Sequence, residues 1–397
     1  MLTNSIREHY QIKPIKPGWK GLEIKNYAGS KVLIDKNNVL QKLIIDNSDK
    51  GKISYREIDY HIQLTKDYKI ITKTGKIKGL SYSALENTKP ANKYFLVSSN
   101  DIGLYNFDAD INILFDYNLE FKSASDVIRY IEKRIKNRTP FEKEEFKIYT
   151  GNKRQKRQPV KAGDIFRIKL NNRQFAYGRV LFDLAKFRKY TPSFAPEIND
   201  GFRASLIFDQ ALMIPCLIDI YLLKTDDPYL KPGDFTSIKT TPSLISNSQF
   251  IKDNTFKIIG RTQLDFSSFD IPMSWATHYH YKPIFHIFNW GAGIKTFAPV
   301  KRLEKLTELT YPLNYKPIHF GGNLIEAWDA FLTSCISGKP NFKYISGWGD
   351  LREPLFSEVR KIISKHIKFD IDKNEYDEFA RKFGFMTKKE ILAFSQS

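Results

Sequence analysis

Between residues 16 and 121 the apolar residues come in short runs set off by turn formers. Lys31 to Ile34, Val39 to Ile45, Tyr60 to Thr65, Tyr68 to Thr72, Tyr94 to Ser98 and Ile111 to Tyr117 are rich in β-branched and aromatic side chains, the composition that fits a pleated, half-buried surface. Lys36-Asn37-Asn38, the stretch from Asn47 to Gly51, and Thr74-Gly75 punctuate them. This spacing predicts a meander or sandwich rather than alternating βαβ units. The period then lengthens. From Ser125, read as an N-cap with Asp126 in the first turn, Val127, Ile128, Ile131 and Ile135 recur at helical spacing. Arg129, Lys133, Arg134 and Lys136 fall mostly outside that stripe. This helix is expected to close a first domain at about residue 150.

Residues 151–158 carry no apolar side chain before Pro159 and several like charges, which predicts a solvated basic linker. Beyond it lies a hairpin pattern. Phe166, Ile168 and Leu170, then Phe175 and Tyr177, alternate with period two around Asn171-Asn172-Arg173, residues that tolerate tight turns. Gly163 permits a sharp turn into the first strand, and Gly178 in the second implies a bulge or a close backbone approach. A Pro-interrupted loop from Thr191 to Gly201 and an apolar run from Ala204 to Leu223 follow. A polar loop through Lys231-Pro232-Gly233-Asp234 leads to strands at Thr255 to Thr262 and Thr277 to Trp290. Residues 159–300 therefore read as a mainly-β domain.

From Lys301 the pattern is helical. Leu355, Phe356, Val359, Ile362, Ile363 and Ile367 form one stripe, and Phe379 and Phe383 sit four apart before Gly384, a glycine placed to end a helix. Thr387 with Glu390 has the form of a capping box. The chain as a whole is expected to be α+β: a β-rich N-terminal domain, a mainly-β middle domain and a helical C-terminal region over 301–397, packed on the middle domain.

Composition adds compartment and charge. Of the 397 residues 42% are hydrophobic, enough to bury sizeable cores in two or three domains. Cys216 and Cys335 lie far apart without metal-ligand spacing, which points to a reducing compartment and a cytoplasmic protein. The first residues lack the apolar core of a secretory signal, and no run approaches the roughly 18 apolar residues that span a bilayer. The net charge is +19, and residues 129–157 alone hold 11 basic against 4 acidic residues. Basicity is concentrated beside the linker.

The passage from Ala162 to Leu181, through Gly163, Asp164, Phe166, Leu170, Tyr177, Gly178, Arg179 and Val180, resembles the opening of the immunity protein 26 family of bacterial polymorphic toxin systems. Trp290-Gly291 adds weaker support, and the resemblance spans about 159–300. It implies a non-catalytic antitoxin that binds and occludes a cognate toxin, with no cofactor. Tyr177, Arg179, Arg173, Phe175 and Trp290 are the candidate contact residues, since Tyr, Trp and Arg concentrate interface energy. The positive charge would suit an acidic toxin surface, with attraction that weakens in salt. The same Gly-Asp-Ile strand, turn and basic strand also begins small SH3-like barrels, including RNA-cutting toxins.

A different class of function rests on the basic residues. Lys153, Arg154, Lys156 and Arg157 at the junction, with Lys388 and Lys389 on a hairpin resembling a helix-turn-helix, are the candidate nucleic-acid contacts for a nucleic-acid-binding protein or nuclease. The junction lacks interleaved aromatics for base stacking, and the last helix is short. Two metal patterns fail. His278, His280 and His286 would share a strand face were Pro283 not between them. Asp370-Ile371-Asp372 begins like a calcium loop, but Glu375 and Arg381 stand where a glycine and a bidentate glutamate are needed. Asp370, Asp372 or Asn374 is the expected cap of the next helix, and neither metal nor cofactor is expected. No phosphate-cradling glycine loop or His-Glu-x-x-His helix supports an enzyme.

Overall fold

A computed structural model describes residues 1–24, 27–49, 52–71, 74–86, 88, 93–151, 153–185, 187, 215–278, 285–303, 324–341 and 350–396. The protein is α+β, with 28% helix and 30% strand. It divides into two compact units, one of Met1–Lys156 with Asn171–Arg173, the other of Arg157–Leu170 with Gln174–Ser397. Thr191 to Gly201, Ala204 to Ile214 and His280 lie outside the described residues.

Unit 1 begins with helix α1 (Asn4–His9) and is built on an antiparallel sheet. Its strands are β1 (Lys20–Glu23), β2 (Ser30–Ile34), β3 (Val39–Asp46), β4 (Ser54–Gln63), β7 (Lys93–Ser98), β8 (Asp101–Asn106) and β10 (Asp116–Tyr117), in that spatial order, with β9 (Ile111–Asn112) also on β8. A separate ribbon pairs β5 (Ile70–Ile71) with β6 (Ile77–Lys78), ahead of helix α2 (Tyr82–Glu86). Among its described residues the Tyr68 to Thr72 run contributes Ile70 and Ile71 to a strand, and Asp101–Asn106 forms a strand where the sequence pattern predicts none. Both faces of β2 and β3 are covered, so these two read as nearly continuous apolar runs, whereas β4 alternates. Leu33, Ile44 and Tyr55 pack with α1 and helices α3 (Ala124–Lys136) and α4 (Pro140–Thr150), while Val32, Leu43 and Tyr60 pack with Ile70 and Leu85.

The N-cap of α3 is Ser123, not Ser125: its Oγ accepts the Asp126 N–H. A second helix, α4, follows it. Thr139 and Glu142 cap α4 reciprocally around Pro140, with Glu142 Oε2 accepting the Thr139 N–H at 2.7 Å and Thr139 Oγ1 accepting the Glu142 N–H at 3.2 Å. Beneath α1 lies a buried ionic cluster. Arg7 donates to both Glu57 oxygens at 2.8 and 3.0 Å, and the Lys42 ammonium sits between the carboxylates of Glu57 and Asp59. Two cations thus meet two anions inside the unit, as burial of charge requires.

Unit 2 carries two sheets. The first, in the order β14-β13-β12-β11-β15, contains β11 (Asp164–Lys169), β12 (Phe175–Asp183), β13 (Pro215–Ile220), β14 (Leu244–Asn247) and β15 (Lys257–Arg261), with short helix α5 (Gln249–Lys252) between the last two. Phe166, Val180, Ile218 and Phe256 pack against Trp328, Phe331 and Leu332 of helix α6 (Leu324–Ile336). Cys216 and Cys335 are free thiols in this same core.

The second sheet joins β16 (Met273–His278), β17 (Phe285–Trp290) and β18 (Gly293–Phe297). The single strand predicted from Thr277 to Trp290 is therefore two, paired antiparallel with Thr277 opposite His286. Helices α7 (Ser357–Ile367), α8 (Tyr376–Phe383) and α9 (Lys388–Gln396) share a core with this sheet. Val359, Ile363 and Phe379 are buried there with Phe288 and Trp290. Gly384 ends α8 at φ 74°, and the Thr387 N–H donates to Glu390 at 2.7 Å. Glu375, rather than Asp370, Asp372 or Asn374, is the N-cap of α8; Asp370 Oδ1 instead accepts the Asp372 N–H within the preceding turn. No helix among the described residues is long and apolar enough to cross a membrane.

Candidate functional site

The hairpin of β11 and β12 is organised by close contacts that its sequence explains. Gly163 has φ +85°, and a Cβ there would lie 2.2 Å from the Thr262 carbonyl oxygen. The bare backbone instead donates to Val180 O at 2.7 Å and accepts from the Thr262 N–H at 2.9 Å, using the left-handed region open to glycine. Asp164 is buried, accepts the Lys161 N–H at 2.7 Å and pairs with Arg261 at 2.7 Å. Gly178 lies opposite Phe166. A Cβ at 178 would meet the Phe166 ring at 2.4 Å. The glycine marks a close approach, with the Phe166 ring covering the strand.

On the other side of the same sheet a polar face is fully committed. Arg179 on β12 stands opposite Asp219 on β13 and grips its carboxylate at 3.2 and 2.6 Å. Burial drives the Asp219 carboxyl above its ordinary range even against this guanidinium. The Tyr177 phenol is buried, pushed up to about 12 by burial, and donates to Asp227 O at 2.8 Å. Arg167 reaches Pro228 O. Phe235 packs on Tyr177 and Tyr221, at 5.0 and 4.5 Å between ring centroids.

These anchors hold the loop from Thr225 to Phe235. It starts at a reciprocal backbone bridge between Phe175 and Thr225 and tightens where Asp227 Oδ1 accepts the Tyr229 N–H at 2.8 Å. Pro232 closes over Gly260, whose absent Cβ would lie 2.3 Å from the proline ring. The loop thus presents Tyr229, 48% exposed, on a braced support. Asp226, Asp227, Lys231 and Asp234 are exposed around it. A braced backbone loses little freedom on binding, and the exposed tyrosine that it carries suits recognition.

The other candidate residues are placed as follows. Phe175, Tyr177 and Trp290 are buried. Trp290 Nε1 donates to Ile271 O at 3.0 Å among Phe288, Tyr376 and Phe379. Arg179 is largely covered by its pairing, and Arg173 is exposed in the hairpin turn. Lys153, Arg154, Lys156 and Arg157 are exposed, with Arg154 paired to Asp110 at 2.7 Å. Lys388 is buried, its ammonium donating to Phe266 O and Phe269 O at 2.8 Å each, while Lys389 is exposed.

His286 is also buried, its Nε2 accepting the Val300 N–H at 2.9 Å, which occupies the lone pair a metal would need. Among the described residues no group of three His, Cys, Asp or Glu is placed to hold a metal. Tyr229 went unread in the sequence because one tyrosine in an Asp- and Pro-rich loop carries no periodic signal; only the bracing from Tyr177 and Arg167 singles it out. No curated protein and no solved structure matches the chain. Residues 161–282, the span containing the hairpin and the braced loop, match the family model for immunity protein 26.

Proposed function

We propose that this protein is a non-catalytic immunity protein of a bacterial polymorphic toxin system, acting in the cytoplasm by binding and covering a cognate toxin. The observation that carries the reading is the loop of 225–235, braced from below and exposing Tyr229, within the span that matches the family. In this reading Tyr229 touches the toxin, and Arg173, exposed in the hairpin turn, is a separate candidate contact. Phe175, Tyr177 and Arg179 position that surface, and Trp290 supports the neighbouring sheet.

A stable complex would cover a surface of standard size, about 800 Å² on each partner, with Tyr229 as an anchor and the surrounding charges as a rim. The net charge of +19 would speed long-range encounter with a toxin of acidic net charge and make the association rate fall with salt, while the rim of Asp226, Asp227 and Asp234 would meet basic groups at the contact itself. The test is co-expression with the toxin encoded beside this gene. Wild type should protect, and Tyr229→Ala should protect poorly while remaining folded. Undiminished protection by Tyr229→Ala would remove this face from the reading. Tight, salt-sensitive RNA or DNA binding without protection would favour a nucleic-acid protein using Lys153, Arg154, Lys156 and Arg157.

A further inference from the structure

We propose that the β5–β6 ribbon of unit 1 adsorbs to anionic lipid surfaces, giving the protein a peripheral membrane contact separate from its toxin-binding face. Ile71 and Ile77 are direct cross-strand partners and are 49% and 62% exposed. Directly opposed residues share a face, so the two side chains form one apolar spot. The preceding residue, Ile70, is only 2% exposed and is seated in the core with Tyr60 and Leu85. One isoleucine therefore fixes the ribbon while the next pair faces water.

Lysines lie beside that spot along the chain; Lys78, which pairs with Ile70, starts on the ribbon's other face and reaches round its edge on a flexible stem. Lys66, Lys69, Lys76 and Lys78 are exposed, against Asp67 as the one exposed acid among described residues 66–71 and 74–79. Lys20 adds a further ammonium at the ribbon's base, donating to Tyr68 Oη at 3.1 Å. The composition distinguishes among anionic partners. Residues 64–82 contain no arginine, the side chain favoured for bidentate phosphate recognition on nucleic acids and for protein interfaces, where lysine is depleted. Lysine on a flexible stem beside branched aliphatic side chains instead fits a diffuse charged plane. The ammoniums reach headgroups while the isoleucines enter the acyl boundary. Each ammonium near such a surface contributes about fivefold in partitioning.

The experiment is vesicle co-sedimentation of the full chain. The probes are vesicles of equimolar phosphatidylglycerol and phosphatidylcholine, with phosphatidylcholine alone as the neutral comparison. Binding is expected on the charged vesicles only and should weaken in high salt. The triple variant Lys69→Glu, Lys76→Glu, Lys78→Glu should lose about a hundredfold or more. Ile71→Ser with Ile77→Ser should lose about tenfold at unchanged charge. A matched control, Lys16→Glu, Lys36→Glu, Lys52→Glu, alters three exposed lysines elsewhere on the unit and should retain most binding.

Equal binding to neutral vesicles, or an equal loss in the control, would overturn the proposal. So would binding of a duplex RNA that depends on the ribbon lysines but not on the isoleucines. Toxin protection by the ribbon variants is a separate readout, so failure here leaves the immunity reading distinguishable.

Discussion

Arg179 and Asp219 are register partners on adjacent strands, and their side chains close on each other at 2.6 Å inside the middle sheet. Arg179→Met would leave Asp219 buried without its counter-charge. Removing one partner of a buried pair costs about 3–5 kcal/mol, so the urea midpoint of the unit 2 transition should fall sharply. Because burial raises the Asp219 carboxyl in the fold, losing Arg179 raises it further. The deficit should therefore shrink as pH falls and the carboxyl takes up its proton. Pairing the change with Asp219→Asn should restore most of the loss.

Gly178→Ala tests the close approach under Phe166. The added methyl would meet the ring at 2.4 Å and Asp219 O at 2.9 Å, and the second contact is backbone that cannot swing aside. A loss of about 1–3 kcal/mol is expected in thermal or urea unfolding. Phe166→Leu in the same chain should relieve only the ring contact and recover part of it.

The loop bracing can be separated from the ring that it presents. Tyr177→Phe removes the 2.8 Å bond to Asp227 O but keeps the packing on Phe235. Toxin affinity should drop less than with Tyr229→Ala, by about one hydrogen bond's net worth, near 1 kcal/mol. Hydrogen exchange of the 225–235 amides should quicken in this variant. A larger affinity loss for Tyr177→Phe than for Tyr229→Ala would reverse the assigned roles.

In unit 1, Lys42→Met would leave Glu57 with Arg7 and take from Asp59 the ammonium that it binds. Destabilisation of about 3–5 kcal/mol is expected in urea titration at neutral pH. Lys42→Arg, which keeps the charge, should cost less.

His9 supplies a pH test. Burial and the nearby Arg138 charge hold its imidazole below the ordinary 6.5, and its ring stacks on Phe146. Below about that pH the unfolded chain accepts a proton that the fold resists, so unit 1 should lose stability on acidification. His9→Gln should flatten this part of the profile, and an unchanged profile would show that other groups set it.

Local chemistry was legible where it needs only neighbours along the chain. The Thr387 and Glu390 cap, the glycine ending α8 and the hairpin turn after Leu170 all depend on residues a few positions apart. The α+β composition and the middle-domain resemblance were legible as well. Ser123 and Ser125 were not separable by pattern, since either hydroxyl could start α3; the reach of Ser123 to the Asp126 N–H decides. Strand β8 was hidden by Gly103, a weak strand former whose missing Cβ leaves room for the Tyr105 ring.

Partnerships over long sequence separation were illegible. Alternation shows that Tyr177 and Trp290 lie on faces but not which faces meet water. Lys388 looks like a free cation until carbonyls from Phe266 and Phe269 are brought to it.

Helix α6 lies beyond residue 282, yet its Trp328, Phe331 and Leu332 roof strands that all lie within the matched span. A fragment trimmed to that span would open Phe166, Val180 and Ile218 to water and invite aggregation. Truncation studies should therefore carry the chain from 157 through the last helix.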